Sequence, residues 1–412
     1  MKYITKRIKT SLLLGFSAMI VFSSCNKDVE QFPDPATPAP STDPAIADVI
    51  KNNPDDSLYY RLIVKSGLLA KLNTKTTAYT MFVPGNSAMR SFITAASGGA
   101  VPPGAPDAVF SGFITANLPA ASAAGIVSYN TCPQALRSTS ITSTFPNFQY
   151  PSILNPAPTV SDLLRLTTFP TTNNGAWLNN VPLMPPLDVP AANGVIHHTA
   201  VVVTPPQRFL WDRINTDAGL TYLKAAIIRA DSGTVAPGTL QGALQNIGAN
   251  LTVFAPTDAA FQATLTGAIY QGLVAAGYPA GATTLATATA LASSPTVFSN
   301  PLLFSVLTAR TVQGIVVYHI LGQRAFTNNF PTTTTFVPTL LNGGVPTHPG
   351  VGLTGTFGIP FFTAATVKGA ANATAANVVI NASPFTPDPA GTSDQHYLNG
   401  VIHKIDQVLL PQ

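Results

Sequence analysis

The chain has 412 residues, enough for two ordinary domains with separate cores, and only 9% of them are charged against 46% apolar. The formal charge of +4 comes from Lys2, Lys6, Arg7 and Lys9; without these four, 17 basic residues face 17 acidic ones. A neutral chain with no Lys/Arg cluster has no electrostatic footprint for nucleic acid, which excludes that class of partner.

In chain order, Lys2 to Lys9 form a cationic stretch and Ser11 to Phe22 an apolar one. That is the pattern of a signal peptide, too short for the roughly 20 residues that span a bilayer. Phe22-Ser23-Ser24-Cys25 follows and resembles the lipobox of bacterial lipoproteins. The resemblance implies that residues 1–24 are removed and that Cys25 carries a lipid anchor. The protein is then expected in the cell envelope, on the outer membrane, with the membrane as a partner through that anchor. Asn26 to Glu30 resembles the surface-export signal of some Gram-negative lipoproteins, an expectation of surface exposure. Residues 25–44 are read as the lipidated N-terminus and a tether, Gln31 to Pro44 being rich in proline and therefore extended. Cys132 is the other cysteine, so the mature chain has no disulfide framework, and a lone thiol of this kind reads as a small buried apolar residue.

The remainder repeats itself. Tyr79 to Met89 aligns with Asn250 to Ala260 on Pro84 and Pro256; Gly125 to Asn130 aligns with Gly314 to His319; Asn193-Gly194-Val195-Ile196-His197 returns as Asn399-Gly400-Val401-Ile402-His403. Each copy opens with apolar residues at helical spacing, Leu58, Leu62, Ile63, Leu69 and Leu72 in the first and Phe209, Leu210, Ile214, Leu220, Leu223 and Ile227 in the second. Two domains follow, 45–205 and 206–412, joined at Thr204-Pro205-Pro206-Gln207 and expected to fold separately. The copies diverge over Ser97 to Ala124 and Gly272 to Asn300, which read as surface loop or frayed helix.

Thr252-Val253-Phe254 is a strand by β-branched and aromatic content, Pro256 ends its ladder, and Thr257 or Asp258 can cap the helix that Ala259 begins. Asn399-Gly400 is a turn dipeptide leading into a β-rich run, Val401 to Leu410, that Pro411 ends. With Tyr318-His319 taken as a central strand, these blocks resemble the fasciclin domain, closely in the second copy and divergently in the first. The resemblance implies an α+β fold of two tandem fasciclin-like domains, each a β-sheet wedge or sandwich packed with several helices. It further implies a non-catalytic role in adhesion, or in binding an extracellular protein or polysaccharide, with no cofactor.

Tyr318, His319, His403 and Asp406 are the candidate binding residues that the resemblance points to. Of Tyr318 and His319, strand alternation puts one inward and one outward. The first copy has Asn130 in place of His319, and Thr199 and Val201 to Val203 in place of the acidic pattern, so it is expected to act mainly as spacer. Residues alone leave His197 and His403 as satisfied core groups in an apolar strand, and His396 with His403, Asp394 and Asp406 does not amount to a metal site. The chain contains no G-x-S-x-G elbow, H-E-x-x-H helix or phosphate loop. An alternative is a glycan-binding surface lipoprotein serving nutrient capture, which needs an exposed aromatic platform, and Trp177 and Trp211 are the only tryptophans.

Overall fold

A computed structural model of the chain describes residues 42–235, 238–358, 362–381 and 391–412. The leader, Cys25 and most of the tether lie outside the described residues. The fold is α+β, and the same arrangement occurs twice.

In the first copy, helices α1 (Ile46–Asn52) and α2 (Ser57–Ser66) precede strand β1 (Tyr79–Pro84). Helices α3 (Asn86–Ala96), α4 (Asp107–Ala116) and α5 (Ala120–Tyr129) follow, then β2 (Thr131–Cys132), β3 (Val181–Ala191) and β4 (Gly194–Thr199). The sheet runs β2–β1–β4–β3 and continues through the short strands Trp177–Leu178 and Pro170–Thr171. In the second copy the matching elements are α6 (Leu210–Thr216), α7 (Thr221–Ala230), β5 (Leu251–Pro256) and α8 (Asp258–Ala275). After them come α9 (Ala282–Ala292), α10 (Ala309–Tyr318), β6 (Ile320–Leu321), β7 (Thr335–Val337), β8 (Val351–Phe357), β9 (Phe362–Lys368), β10 (Ala376–Asn377), β11 (Gln395–Tyr397) and β12 (Gly400–Ile405). One sheet is ordered β6–β5–β12–β11 and a second β7–β8–β9–β10.

The strand that opens each sheet pairs in parallel with the strand that closes the copy. Tyr79 faces Gly194 through to Pro84 facing Thr199, and Leu251 faces Gly400 through to Pro256 facing Ile405. All six residues of β1 and of β5 are buried, since each strand lies inside its sheet with packing on both faces, and a continuous apolar run is what such a strand requires. Thr257 caps α8 as its sequence suggests, its hydroxyl accepting from the Ala260 amide at 3.3 Å.

The Asn-Gly dipeptide closes the hairpin into the last strand of each copy, as its sequence suggests, and its asparagine does more than turn the chain. Asn193 Oδ1 accepts the amide of Ile46, the first residue of α1, at 2.7 Å, while its Nδ2 donates to the Leu72 and Thr74 carbonyls. Asn399 repeats this on Leu210, the first residue of α6, at 3.0 Å. The glycine lets the strands meet. A Cβ on Gly194 would lie 1.9 Å from the Tyr79 carbonyl oxygen, and one on Gly400 would lie 2.5 Å from both the Leu251 carbonyl oxygen and Leu210 Cδ1. The last strand of each copy thereby fixes its first helix.

Structure and sequence differ in one place and agree in another. Ser97 to Ala124 and Gly272 to Asn300, read as surface loop or frayed helix, contain helices with buried faces: α4 buries Phe110 and Ile114, and α9 buries Thr284, Ala288 and Ala292. Tyr318-His319 is not a strand. Tyr318 ends α10 and His319 caps it, because Thr308 caps the start of that helix at the Thr311 amide and Val312 and Val316 are buried one turn apart. Helical packing has overridden the β-branched Ile315-Val316-Val317 run.

The two copies also meet. Phe169 of the first packs with Phe326 and Val401 of the second, with ring centroids of the two phenylalanines 5.7 Å apart. Asn328 Nδ2 donates to the Asn179 carbonyl at 2.8 Å, and Asn173 Nδ2 to Asn329 Oδ1 at 2.9 Å. Arg324, buried, stacks over Phe169 at 5.0 Å and donates to Asn250 Oδ1 and to His396 Nε2.

Two outcomes follow from these contacts. Asn399→Ala should lower stability by about 1–3 kcal/mol in a denaturant melt, the cost of a buried amide left without its acceptor. Fragments 45–205 and 206–412 should each melt cooperatively but below the full chain, because each keeps its own core yet exposes its half of the Phe169–Phe326 contact; a second fragment with no cooperative melt would mean that the copies share one folding unit.

Candidate functional site

Three of the four candidate binding residues are core. Tyr318, His319 and His403 are 0%, 2% and 0% exposed, so the expected outward member of the Tyr318-His319 pair does not exist. Tyr318 donates its hydroxyl to the Gly350 carbonyl at 2.7 Å and accepts from the Ala370 amide. His319 Nδ1 donates to the Ile315 carbonyl one turn back, and Nε2 accepts the Leu409 amide, both at 2.8 Å. The imidazole is thus a strut between the end of α10 and the chain beyond the closing strand. Asn130 holds the matching position in the first copy, its Nδ2 donating to the carbonyls of Ile126 and Val203. Replacing His by Asn there preserves the strut.

His403 Nε2 donates to the Ala325 carbonyl at 2.8 Å, Nδ1 accepts the Asp394 amide at 3.1 Å, and its ring stacks on Phe254 with centroids 5.8 Å apart. His197 does the same with Leu136, Asp188 and Phe82, again at 5.8 Å. The acids match as well: Asp394 accepts from the amide and hydroxyl of Thr327, and Asp188 from those of Ser138. Thr252 and Thr80 each bridge the next two segments, donating to Gln323 or Gln134 and accepting from Ala325 or Leu136. The core reading of His197 and His403 therefore fits their bonding. Asp406 does reach the surface, but it holds β10 through the Asn377 amide and side chain, each at 2.7 Å.

His198 alternates away from His197 and meets Asp56 at 3.0 Å, where the second copy pairs Lys404 with Asp217 at 2.7 Å. His396 lies on the face toward the first copy, between Arg324 and Tyr129, apart from His403. Among the described residues no cluster of three His, Cys, Asp or Glu could hold a metal. Cys132 pairs with Thr80 in the register by which Leu321 pairs with Thr252; it is fully buried, and burial raises its thiol to about 11. Trp177 and Trp211 are 4% and 6% exposed, so neither supplies the aromatic platform a glycan would need.

What the second copy does expose is an apolar groove of about 580 Å³ beside α7. Thr221, Lys224, Ala225, Ile228, Arg229 and Ser232 form its α7 wall, a stripe at helical spacing. Pro295, Phe298 and Phe304 stand opposite. No charged residue occurs between Asp258 and Arg310, and this stretch leaves Tyr278, Leu285, Leu302, Phe304 and Val306 exposed. Sequence reasoning read the middle of this segment, Gly272 to Asn300, as divergent surface loop or frayed helix; its lack of charge was the available signal.

No family model and no curated protein matches the chain. Among solved structures, the FAS1 domain pair of the insect cell adhesion molecule fasciclin I is similar at 13% identity and a TM-score of 0.32, over 86% of this chain and 97% of that one. The α+β class and the duplication are properties of this chain's own geometry.

Burial lowers the pKa of His197, His319, His396 and His403, His319 to about 4 from 6.5. The unfolded chain then binds more protons, so the stability from these neutral rings is complete above pH 6.5 and drains as pH falls toward 4. His319 alone is worth on the order of 2–4 kcal/mol across that window. The melting temperature should therefore fall between pH 7 and 4, and His319→Asn, which copies the first domain's solution, should flatten part of the slope. An unchanged slope in that variant would contradict the strut.

Proposed function

We propose that the chain is a lipid-anchored cell-envelope protein whose two fasciclin-like domains serve adhesion, binding an extracellular protein or polysaccharide without catalysis. One observation carries this: the motif residues are used in internal bonds in both copies, whereas the segment between Asp258 and Arg310, which has no charged residue, leaves Tyr278, Leu285, Leu302, Phe304 and Val306 exposed. Contiguous apolar surface on a folded protein marks a place of contact. The contact surface is therefore the outer face of α9 and the turns on either side of it, and the Tyr318, His319 and His403 set is framework. The anchor rests on the leader and Cys25, with the proline-rich tether holding the domains off the membrane.

Cys25→Ala should move the mature protein from the membrane to the soluble fraction; retention on the membrane after a salt wash would remove the anchor. Beads coated with the soluble protein should attach to cells, matrix or polysaccharide. Leu285→Lys with Leu302→Lys should weaken that attachment while changing stability by no more than about 0.5 kcal/mol, both side chains being exposed. Equal attachment by this variant and the wild type would place the contact elsewhere, and no attachment by either would remove adhesion.

A further inference from the structure

We propose that the groove beside α7 is a binding site for a small anionic amphiphile, a molecule with an apolar body and a carboxylate or similar acidic head. This goes beyond the adhesive role and does not rest on it.

The groove's volume of about 580 Å³ falls within the usual span of small-molecule sites. Its walls give an apolar body its surroundings: Ile228 is half exposed on one side, Phe298 and Phe304 line the other, and Ala225 leaves room between them.

The charges decide the head group. Asp217 is the one carboxylate in the lining, and it is already neutralised from behind by Lys404 at 2.7 Å and Arg213 at 2.8 Å. Lys224 and Arg229 remain on the α7 wall. Among the described residues Lys224 Nζ reaches only the Asn215 carbonyl, at 3.5 Å. Arg229 Cζ sits over the Phe304 ring, 3.8 Å from its centroid, with Nε donating to the Leu307 carbonyl, which holds the guanidinium in place while its two terminal nitrogens make no hydrogen bond among the described residues. A preorganised guanidinium of this kind matches the two oxygens of a carboxylate.

The hydroxyls of the lining are committed as donors: Thr216 to Asp212, Thr221 to Asp258, Ser232 to Ile228, Ser299 to Thr296. The donors left are mainly cationic, which favours an anion over a neutral polyol. The first copy lacks the arrangement. Lys65, the counterpart of Arg229, donates to the Thr115 carbonyl of α4 at 2.6 Å, so that cation is consumed.

Titration calorimetry on the soluble Cys25→Ser full chain, in buffer free of detergent, tests this with decanoate, decanol and decyltrimethylammonium below their micelle concentrations. Decanoate should bind at one site per chain, at least tenfold more tightly than either of the others, a difference of about 1.4 kcal/mol. Lys224→Gln with Arg229→Gln should cost decanoate at least tenfold without raising its affinity for decanol. Ile228→Trp keeps both charges and fills the groove, so it should abolish binding of decanoate even if the charge variant melts early. Similar affinity for all three probes, no binding by the parent chain, or decanoate binding that survives Ile228→Trp would overturn the proposal. So would a dimer in sedimentation that Ile228→Trp dissociates, since a second copy would then occupy the groove. Failure of bead attachment alongside tight decanoate binding would count against adhesion and leave this site standing.

Discussion

Each domain depends on the parallel pairing of its first internal strand with its last. Parallel strands need a long crossover, and here the crossover is nearly the whole domain, so β1–β4 and β5–β12 tie together segments more than a hundred residues apart. Asn193 and Asn399 extend the tie to the opening helix, and Gly194 and Gly400 permit the close approach that a side chain would block. His197 and His403 then carry it across the sheet to the segment after the short strands β2 and β6. Few residues do this, and they recur in both copies.

This explains why so much of the fold was legible in the sequence. Residues that cannot be exchanged without orphaning a buried donor leave a repeated pattern, and the Asn-Gly-Val-Ile-His block, with the threonine that opens Thr80-Met81-Phe82-Val83-Pro84 and Thr252-Val253-Phe254-Ala255-Pro256, is that pattern. Identities vary where another group joins the same segments: Asn130 stands in for His319, donating to the Val203 carbonyl where His319 accepts the Leu409 amide, and His198 with Asp56 stands in for Lys404 with Asp217. The motif also invited a functional interpretation of Tyr318, His319 and His403, whereas the return of Tyr318 as Tyr129 and of His403 as His197, with Asn130 in place of His319, reflects the burial of polar groups that must be satisfied.

What the sequence hid has equally physical causes. The helical state of Ile315 to Tyr318 is set by a cap at Thr308 and by packing of Val312 and Val316, against the local preference of β-branched residues. The contact between copies is built from Asn173, Asn174, Asn179, Asn328 and Asn329, residues that in a sequence signal turns. The groove joins α7 to a Pro-rich segment some seventy residues later, a juxtaposition with no periodicity of its own. The first copy, expected as a spacer, contributes Phe169 and Tyr129 to the surroundings of Arg324 and His396 and so helps to shape its neighbour.

The central claim is that the recurrent histidines are neutral framework and that contact with other molecules lies on the face without them. Nitrogen-15 shifts of the imidazoles, followed from pH 7.5 to 5.5, test it most directly. The account predicts that His197 and His403 carry the proton on Nε2 and titrate below the 6.5 of a free imidazole, and that His319 carries it on Nδ1 and stays neutral throughout this range. A ring that gains a proton near pH 6.5, or that exchanges freely between tautomers, would show a histidine open to solvent and available to a ligand, and would contradict the account.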